Sequence, residues 1–236
     1  MMTRFLRAGI LTLILFLSAT LAKAQLGFGY AQYDFGLAAG INTVYGDAET
    51  MTQTPSFHVN FTYNTTPFVN YVFELQAGQL KGGDSLKTLS GRQFTNQFTA
   101  FMLRAQVQAG EIIDYSDSPI KNALKNFYVG TGIGFIVNHM TSISRYSTLV
   151  PGFYTPGDNN SNEVMIPVRL GYELKFFNQY GEPSFKVDLG YQYNFIMGDD
   201  LDGYVVGTKK DAYSQITLGV KFALGGVTSY RKQISY

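Results

Sequence analysis

The sequence predicts an all-β fold, an eight-stranded antiparallel up-and-down transmembrane β-barrel. Apolar and polar residues alternate along eight segments, short and long polar connections alternate between the segments, and a secretion-type leader precedes them. The alternation is clearest over residues 164–175, where Val164, Ile166 and Val168 alternate with polar or small residues. Because successive side chains of a strand point to opposite faces, each strand has one apolar and one polar face. An even number of such segments in an exported chain indicates a barrel with its apolar face toward lipid.

The first 24 residues have the features of a cleaved signal peptide. Arg4 and Arg7 form a basic start, residues 10–17 are apolar, and Ala22-Lys23-Ala24 supplies the small residues of a cleavage site. The apolar run is shorter than the roughly 20 residues of a comfortable membrane span, so a retained anchor is the alternative.

We expect three parts in the chain: a cleaved signal peptide over 1–24, an outer-membrane barrel over 25–225 and a short periplasmic tail over 226–236. Within the barrel, the alternation places strands near 33–46, 55–63, 68–80, 93–109, 126–139, 163–175, 184–197 and 212–224. Each segment is long enough for a tilted strand, which needs roughly 9–11 residues to cross a bilayer.

The connections predict which side of the membrane each end of the barrel faces. Residues 64–67 and 178–183 are tight turns, as expected on the periplasmic side. The connections at 47–54, 81–92, 140–162 and 198–211 are longer and polar, as expected outside the cell. Each long loop follows an odd-numbered strand, so both termini are expected in the periplasm.

The periplasmic connection over 110–125 is unusually long and predicts a short helix. Ser118 fits the N-cap and Pro119 the first helical position. The simple interpretation is a segment that packs under the barrel. The alternative is a helix that lies on the inner leaflet or docks a periplasmic partner, with Lys121 and Lys125 toward headgroups.

Composition excludes several other classes of protein. Charges or glycines interrupt every later apolar stretch, so a membrane-embedded form requires a closed barrel. Removal of Arg4, Arg7 and Lys23 leaves 15 basic residues against 17 acidic ones, a charge near −2. This balance gives no electrostatic footprint for nucleic acid. The sequence has no cysteine, so the exported fold has no disulfide.

The inward-facing positions carry charges of both signs. They include Asp34 and Lys175 together with seven residues that we assign to a structural charge network in the lumen: Glu74, Arg104, Arg169, Glu173, Lys186, Asp188 and Lys221. Eight strands leave an interior that side chains just fill, and buried charges persist only when paired. We therefore expect a closed lumen, with ion pairs among Arg169, Glu173, Lys186 and Asp188.

Candidates for chemistry are few, and we assign no catalytic residue, metal ligand or cofactor. The two histidines, His58 and His139, are expected as ordinary polar residues of the outer rim. A serine or carboxylate within hydrogen-bond reach of either histidine would favour the alternative of a lipid-modifying enzyme. The acidic loop 198–203 is interpreted as a solvated turn, with opportunistic Ca²⁺ binding as the alternative.

Several strand sequences resemble those of small outer-membrane β-barrel proteins of Bacteroidetes. They are Asp34-Phe35-Gly36-Leu37, Asn126-Phe127-Tyr128-Val129-Gly130-Thr131-Gly132-Ile133-Gly134, Ile166-Pro167-Val168-Arg169-Leu170-Gly171-Tyr172 and Ile216-Thr217-Leu218-Gly219-Val220-Lys221-Phe222. These proteins are related in fold to the OmpA transmembrane domain. The resemblance implies a location and an architecture, and it carries no active site.

The sequence therefore predicts an outer-membrane protein, not an enzyme, with a structural or interaction role exercised through its extracellular loops. Loop 140–162, with Tyr146, Phe153 and Tyr154, is the expected contact surface. Expected partners are outer-membrane lipid and lipopolysaccharide and an extracellular or periplasmic protein, with the barrel itself monomeric. The alternatives are a narrow pore or small-ligand transporter, a barrel-embedded lipid-modifying enzyme, and a soluble lipocalin-like barrel with its apolar residues inside.

Overall fold

Strands make up most of the chain in the computed structural model, which describes residues 27–88, 90–116, 118–147, 150–205 and 210–231. The signal peptide predicted over 1–24 lies outside these residues. The described elements are β1 (Gly27–Tyr45), β2 (Met51–Thr52), β3 (Thr54–Asn64), β4 (Val69–Gly83), β5 (Gln93–Gln108), α1 (Ala109–Ile112), α2 (Pro119–Leu124), β6 (Phe127–Ser144), β7 (Asn160–Phe177), β8 (Pro183–Ile196) and β9 (Ala212–Arg231).

The strands form one closed antiparallel sheet. Its order is β4-β3-β1-β9-β8-β7-β6-β5, and β5 pairs with β4 to complete the circle. The two-residue β2 adds a short pairing at Gly82 and Lys81 of β4 and is not a member of the barrel wall. The predicted eight-stranded up-and-down barrel is therefore confirmed.

Burial alternates along the strands as the sequence pattern requires. In β3, every second side chain from Thr54 is buried, and the residues between them are exposed. Large apolar side chains cover the outside of the barrel on all eight strands. Examples, one from each strand in chain order, are Leu37, Phe57, Phe73, Leu103, Ile133, Leu170, Leu189 and Leu218. The polar faces line the interior.

Most strands extend beyond their predicted limits. The β6–β7 ladder continues to the pair His139–Asn160, and β6 itself ends at Ser144, so the predicted loop 140–162 shrinks to 145–159. Strand β9 continues to Arg231, which lies opposite Gly27 of β1. The barrel limit expected at residue 225 therefore falls inside β9. These extensions occur because backbone hydrogen bonding between neighbouring strands continues after the apolar alternation has ended.

The two ends of the barrel differ in their connections. At one end, called the turn end, the strands are joined by 65–68, by 178–182 and by the segment that contains α1 and α2. Helix α2 has the predicted N-cap, because the Ser118 hydroxyl accepts a hydrogen bond from the Lys121 amide at 3.5 Å. At the other end, called the loop end, the longer connections 46–53, 84–92, 145–159 and 197–211 meet. No helix among the described residues is long and apolar enough to cross a membrane.

The barrel interior has an apolar half and a polar half. A cluster of buried apolar side chains fills the loop end: Val44, Leu80, Phe94, Phe98, Ala100, Met102, Ile136, Met140, Met165, Ile196, Leu201, Tyr204 and Tyr213. Two of its members, Leu201 and Tyr204, come from the connection 197–211, of which residues 201–204 are buried in the loop end of the barrel. The Tyr204 hydroxyl lies 2.7 Å from the Ser144 carbonyl oxygen and 2.9 Å from the Gln93 amide nitrogen. Charged and amide side chains fill the remainder.

Candidate functional site

The centre of the polar half is a four-residue group of ion pairs. The Lys221 ammonium lies 2.6 Å from a Glu173 carboxylate oxygen and 2.7 Å from one of Asp188. The other Asp188 oxygen accepts from the Arg169 guanidinium at 2.7 Å. All four side chains are buried. Each of these charges is thereby within hydrogen-bond distance of an opposite one, which is the condition for keeping charges away from water.

Arg169 is held in place by neighbours on three other strands. Its Nε donates to the Tyr128 hydroxyl at 2.7 Å, and Nη2 donates to the Thr217 hydroxyl at 2.7 Å. The Tyr128 hydroxyl in turn donates to Asp188 at 2.9 Å. The guanidinium lies directly over the backbone of Gly190, where a Cβ atom would overlap it. A glycine is therefore required at position 190 for this approach.

Glu74 organises a second group nearer the loop end. One carboxylate oxygen accepts from Arg104 at 2.8 Å, and the other lies 3.0 Å from Nδ1 of His58. Arg104 also donates to the Gln192 side-chain oxygen. The two groups are separated by a cavity of about 10 Å³, lined by residues of both. This volume holds at most about one water molecule.

All seven residues assigned to the charge network lie buried in the barrel interior. Of the four among which ion pairs are expected, Arg169 pairs with Asp188, whereas Lys186 binds Asp34 at 2.6 Å and Glu173 binds Lys221. The strand register explains these partners. Glu173 lies opposite Asp188, and Lys186 lies between Lys175 and Lys221 on its two neighbouring strands. Since adjacent positions carry like charges, the opposite charges come from more distant strands.

Lys175 lies at the turn end of the lumen, beside the ion pairs. Its ammonium donates to the Pro67 carbonyl at 2.7 Å and to the Gln108 side-chain oxygen at 2.6 Å. It also lies 4.8 Å from the centre of the Phe68 ring, within cation–π range. Lys175, which belongs to none of these ion pairs, is thus held by two carbonyl oxygens and an aromatic ring at the turn end of the lumen.

His58 differs from the expected rim residue, because it lies buried inside the lumen. Its Nε2 is 2.9 Å from the Ser56 hydroxyl, and its Nδ1 is the atom beside Glu74. This serine–histidine–carboxylate contact meets the distance criterion stated for an enzyme. However, Ser56 is 1% exposed and donates to Asn42 at 2.9 Å. The adjoining cavity has no room for an ester or lipid chain, so the contact fills the lumen and offers no route to substrate.

His139 lies on the other face of the wall, near the loop end. It lies within β6 and points to the outside of the barrel, where its Nδ1 is 2.6 Å from the Asn160 side-chain oxygen. The two histidines therefore face opposite sides of the wall and cannot form one site.

The interpretation of 198–203 as a solvated turn is wrong, because Leu201, Asp202 and Gly203 are buried. Asp202 accepts from the Asp47 amide at 2.6 Å and from the Tyr204 amide at 3.0 Å. Asp211 accepts from the Leu201 amide at 2.9 Å. These carboxylates hold the loop in the barrel mouth. No group of three or more His, Asp or Glu residues in the described ranges is arranged to hold a metal ion.

Burial raises the pKa of both carboxyl groups in this loop. The pKa of Asp202 rises to about 7, with the neighbouring charges of Asp47 and Asp199 adding to the effect. The pKa of Asp211 rises to about 8, mainly by burial and secondarily because Asp202 is close. Removal from water disfavours the ionised form of a carboxyl group.

The connection 145–159 presents an aromatic patch, defined here as Tyr146, Phe153 and Tyr154. An isolated antiparallel bridge joins Tyr146 to Tyr154, whose ring centres are 4.9 Å apart. All three side chains are exposed. The connection is fixed at its base by Arg145, which donates to Asn159 at 2.8 Å and to the Gly203 carbonyl at 3.1 Å.

Comparison with known proteins gives likeness of fold. No family model and no curated protein matches the chain. Among solved structures, the chain is similar to Neisserial surface protein A, with 13% identity, a TM-score of 0.45, and coverage of 82% of this chain and 98% of that one. It is also similar to Ail of Yersinia pestis, with 10% identity, a TM-score of 0.44, and coverage of 85% and 99%. OprG from Pseudomonas aeruginosa gives 15% identity, a TM-score of 0.40, and coverage of 83% and 99%. At these TM-scores, we draw no functional conclusion from the likeness.

Two features of the lumen are missing from the sequence-based prediction. One is its apolar half, and the other is the set of uncharged residues, such as Tyr128 and Gln192, that hydrogen-bond to the charged side chains. Phe94, Phe98 and Met102 occupy inward positions of β5, so their spacing was a usable signal. Leu201 and Tyr204 lie in a connection without periodicity, and nothing in the sequence indicates that this loop enters the barrel.

We predict that Arg104→Met destabilises the folded barrel by about 3–5 kcal/mol, because the Glu74 carboxylate loses its guanidinium partner while it remains buried. The measurement is the free energy of unfolding in urea with the protein in lipid vesicles. The double variant Glu74→Gln/Arg104→Met is the control and should recover most of the loss. Equal stability of the single variant and the wild type would contradict the prediction.

We predict that docking of the loop 197–211 weakens as pH rises. The docked carboxyls of Asp202 and Asp211 hold protons up to about pH 7 and 8, whereas exposed aspartates lose theirs near 3.9. The docked state therefore binds more protons between about pH 4 and 8, so its stability falls across that window and stays constant above it.

Hydrogen exchange of the Leu201 and Asp202 amides measures this docking, because both amides donate to Asp211. Protection factors, corrected for intrinsic rates, should fall about tenfold or more from pH 5 to 8.5. Asp211→Asn should flatten the dependence. Protection that is constant across the window in the wild type would refute the prediction.

Proposed function

We propose that this chain is an integral bacterial outer-membrane barrel with a sealed lumen, and that it has a structural or contact role exercised through its loop end. The apolar outer surface supports the membrane placement. Large apolar side chains point outward on every strand of the wall while charged side chains point inward. A soluble lipocalin-like barrel requires the opposite arrangement.

Aromatic side chains border the apolar surface at both ends. Near the turn end, Phe127 packs on Tyr172 with ring centres 4.9 Å apart. Near the loop end, Tyr45 stacks on Tyr193 at 5.8 Å. On β1, the distance along the barrel axis from Tyr33 to Tyr45 is about 30 Å, from the usual rise and tilt of barrel strands. Aromatic girdles separated by such a distance match the hydrocarbon thickness of a bilayer.

The connections support an orientation with the loop end outside the cell. Outer-membrane barrels have short periplasmic turns and longer extracellular loops. In that orientation the paired residues Gly27 and Arg231 lie on the periplasmic side, as do both termini in our proposal. Membrane lipid and lipopolysaccharide then surround the barrel. A closed wall leaves no long strand edge for association with a second copy, so we expect a monomer.

The observation that carries a sealed lumen is its continuous filling. Ion-paired side chains occupy the polar half, and the apolar cluster with Leu201 and Tyr204 occupies the loop end. A pore would require both layers to separate. The lumen charges are also close to balance, since four acidic groups meet four basic ones in the ion pairs Glu74–Arg104, Asp188–Arg169, Asp34–Lys186 and Glu173–Lys221, and Lys175 adds one basic charge. A selective pore is expected to carry a larger excess of one sign.

The aromatic patch is the surface that we assign to partner contact. Tyrosine supplies a large contact area at a low entropic cost and is enriched at the energetic centres of protein interfaces. The bridge between Tyr146 and Tyr154 and the bonds of Arg145 hold the patch in one arrangement before binding. We therefore propose an extracellular protein as the partner. We also propose that the chain is related to the small outer-membrane barrels of Bacteroidetes that its strand sequences resemble.

The sealed lumen predicts an absence of channel activity in planar bilayers. We expect no stepwise currents from protein that also migrates faster on gels when it is unheated than when it is boiled, since that shift shows that the tested material is a folded barrel. Reproducible unitary currents from such material would exclude the sealed lumen and support the pore alternative.

The contact role predicts position-dependent cross-linking on intact cells. A photoreactive phenylalanine analogue at position 146 should form an adduct with an extracellular protein. The same analogue at Tyr180, an even more exposed tyrosine in the turn-end connection 178–182, should not form that adduct. Tyr154→Ser should reduce the adduct from position 146 severalfold. An adduct that forms equally from position 180 would argue against this surface.

A further inference from the structure

The segment between β5 and β6, residues 109–126, begins beneath the turn end of the barrel. Tyr115 is buried against Phe68, with ring centres 5.6 Å apart, and the Lys125 ammonium lies 4.8 Å from the centre of the Tyr115 ring. The Gly110 amide donates to the Lys125 carbonyl at 2.8 Å, which brings the two ends of the segment together. This half of the segment covers the turn end of the lumen.

Helix α2 then reaches the outer surface of the wall. The hydroxyl of Tyr172 donates to the carbonyl of Ala123 at 2.7 Å. Tyr172 belongs to the outward face of β7, the face of Leu170, and its ring packs against Phe127 at the start of β6. The C-terminal turn of α2 is therefore held at the level of the aromatic row that borders the apolar surface.

The segment exposes aliphatic side chains at this level. Ile112 is 79% exposed, Ile120 is 72% exposed and Leu124 is 44% exposed. Their neighbour along the chain, Phe127, is the first residue of β6 and belongs to the apolar outer surface. Leu124, which follows the bonded residue Ala123 and precedes Phe127 in the chain, thus adjoins that surface. Lys121, on the same helix, is also exposed and carries a charge that suits phosphate headgroups.

We propose that α2 is an interfacial anchor, with Ile120 and Leu124 inserted at the boundary between headgroups and acyl chains of the leaflet at the turn end. Interfacial segments combine aliphatic side chains that reach the acyl boundary with lysines that meet headgroups, and α2 exposes both kinds of residue. The helix joins the part of the segment that covers the turn end of the lumen to the membrane surface. Tyr115 packs below the lumen, while the Ala123 carbonyl accepts a hydrogen bond from Tyr172 on the outer wall. The inference rests on the membrane placement proposed above.

Depth-dependent quenching of a single tryptophan tests the anchor, because the sequence has no tryptophan of its own. We would prepare Ile120→Trp in phosphatidylethanolamine and phosphatidylglycerol vesicles that contain lipids brominated either near the headgroup or near the chain end. The expected result is blue-shifted emission and at least twofold stronger quenching by the shallow bromines than by the deep ones. Leu124→Trp serves the same purpose if Ile120→Trp does not give the heat-dependent gel shift.

Two matched variants separate the possible failures. Leu170→Trp lies on the apolar outer surface, two residues from Tyr172 toward the loop end, and should be quenched more by the deep bromines than Ile120→Trp is. Tyr180→Trp lies in an exposed connection at the same end as α2 and should be neither blue-shifted nor quenched.

If Leu170→Trp is not quenched, the membrane placement fails and the anchor fails with it. If Leu170→Trp is quenched but Ile120→Trp behaves like Tyr180→Trp, the anchor alone is overturned. In that case, a blue shift of Ile120→Trp in native outer membranes but not in vesicles would identify a protein as the occupant.

Discussion

The rest of the structure depends on one constraint, the filling of a closed eight-stranded wall. Closure removes every long strand edge and leaves an interior only as wide as the side chains that point into it. Because the apolar faces point outward, the inward faces must carry the polar residues, and these have to satisfy one another away from water. The bridge of Lys221 between Glu173 and Asp188 is the clearest result of this constraint. One cation there balances part of two carboxylates that lie opposite each other on adjacent strands.

The two halves of the lumen meet the constraint with different physics. In the polar half, removal of a single partner leaves a buried charge, so the arrangement tolerates coordinated changes better than single ones. In the loop-end half, apolar side chains pack without directional bonds, and part of the packing comes from a connection held by carboxyl groups. The two halves therefore differ in how easily each can open. The polar half consists of side chains of the strands themselves, so it cannot separate from the wall. The loop that carries Leu201 is a connection between strands, and it can move out of the lumen while the strands stay paired.

The wall was predictable from sequence, because apolar and polar residues alternate with a period of two along eight segments. This alternation specifies both the strands and the side of the wall to which each side chain points. The identity of the lumen charges followed from the same period. The partners of these charges could not be predicted in the same way. The contacts Lys186–Asp34 and Lys221–Glu173 depend on how far each strand is staggered around the barrel, and the alternation of residues does not determine this stagger. The placement of Tyr204 was also beyond reach, since a loop has no period. The depth of His58 depends on the same stagger, so the alternation alone does not separate a rim position from the buried one that the structure shows.

The pairing of β1 with β9 has a consequence for how this barrel is made. Their register runs from Gly27 opposite Arg231 to Tyr45 opposite Ala212, so the strand synthesised first finds its second neighbour only when the last one exists. Until then β1 carries an unpaired edge along its whole length, and such edges invite association with other chains. Contacts between residues so distant in sequence form slowly. We therefore expect the closing step to be slow, and the open sheet to need protection until the two ends of the wall have met.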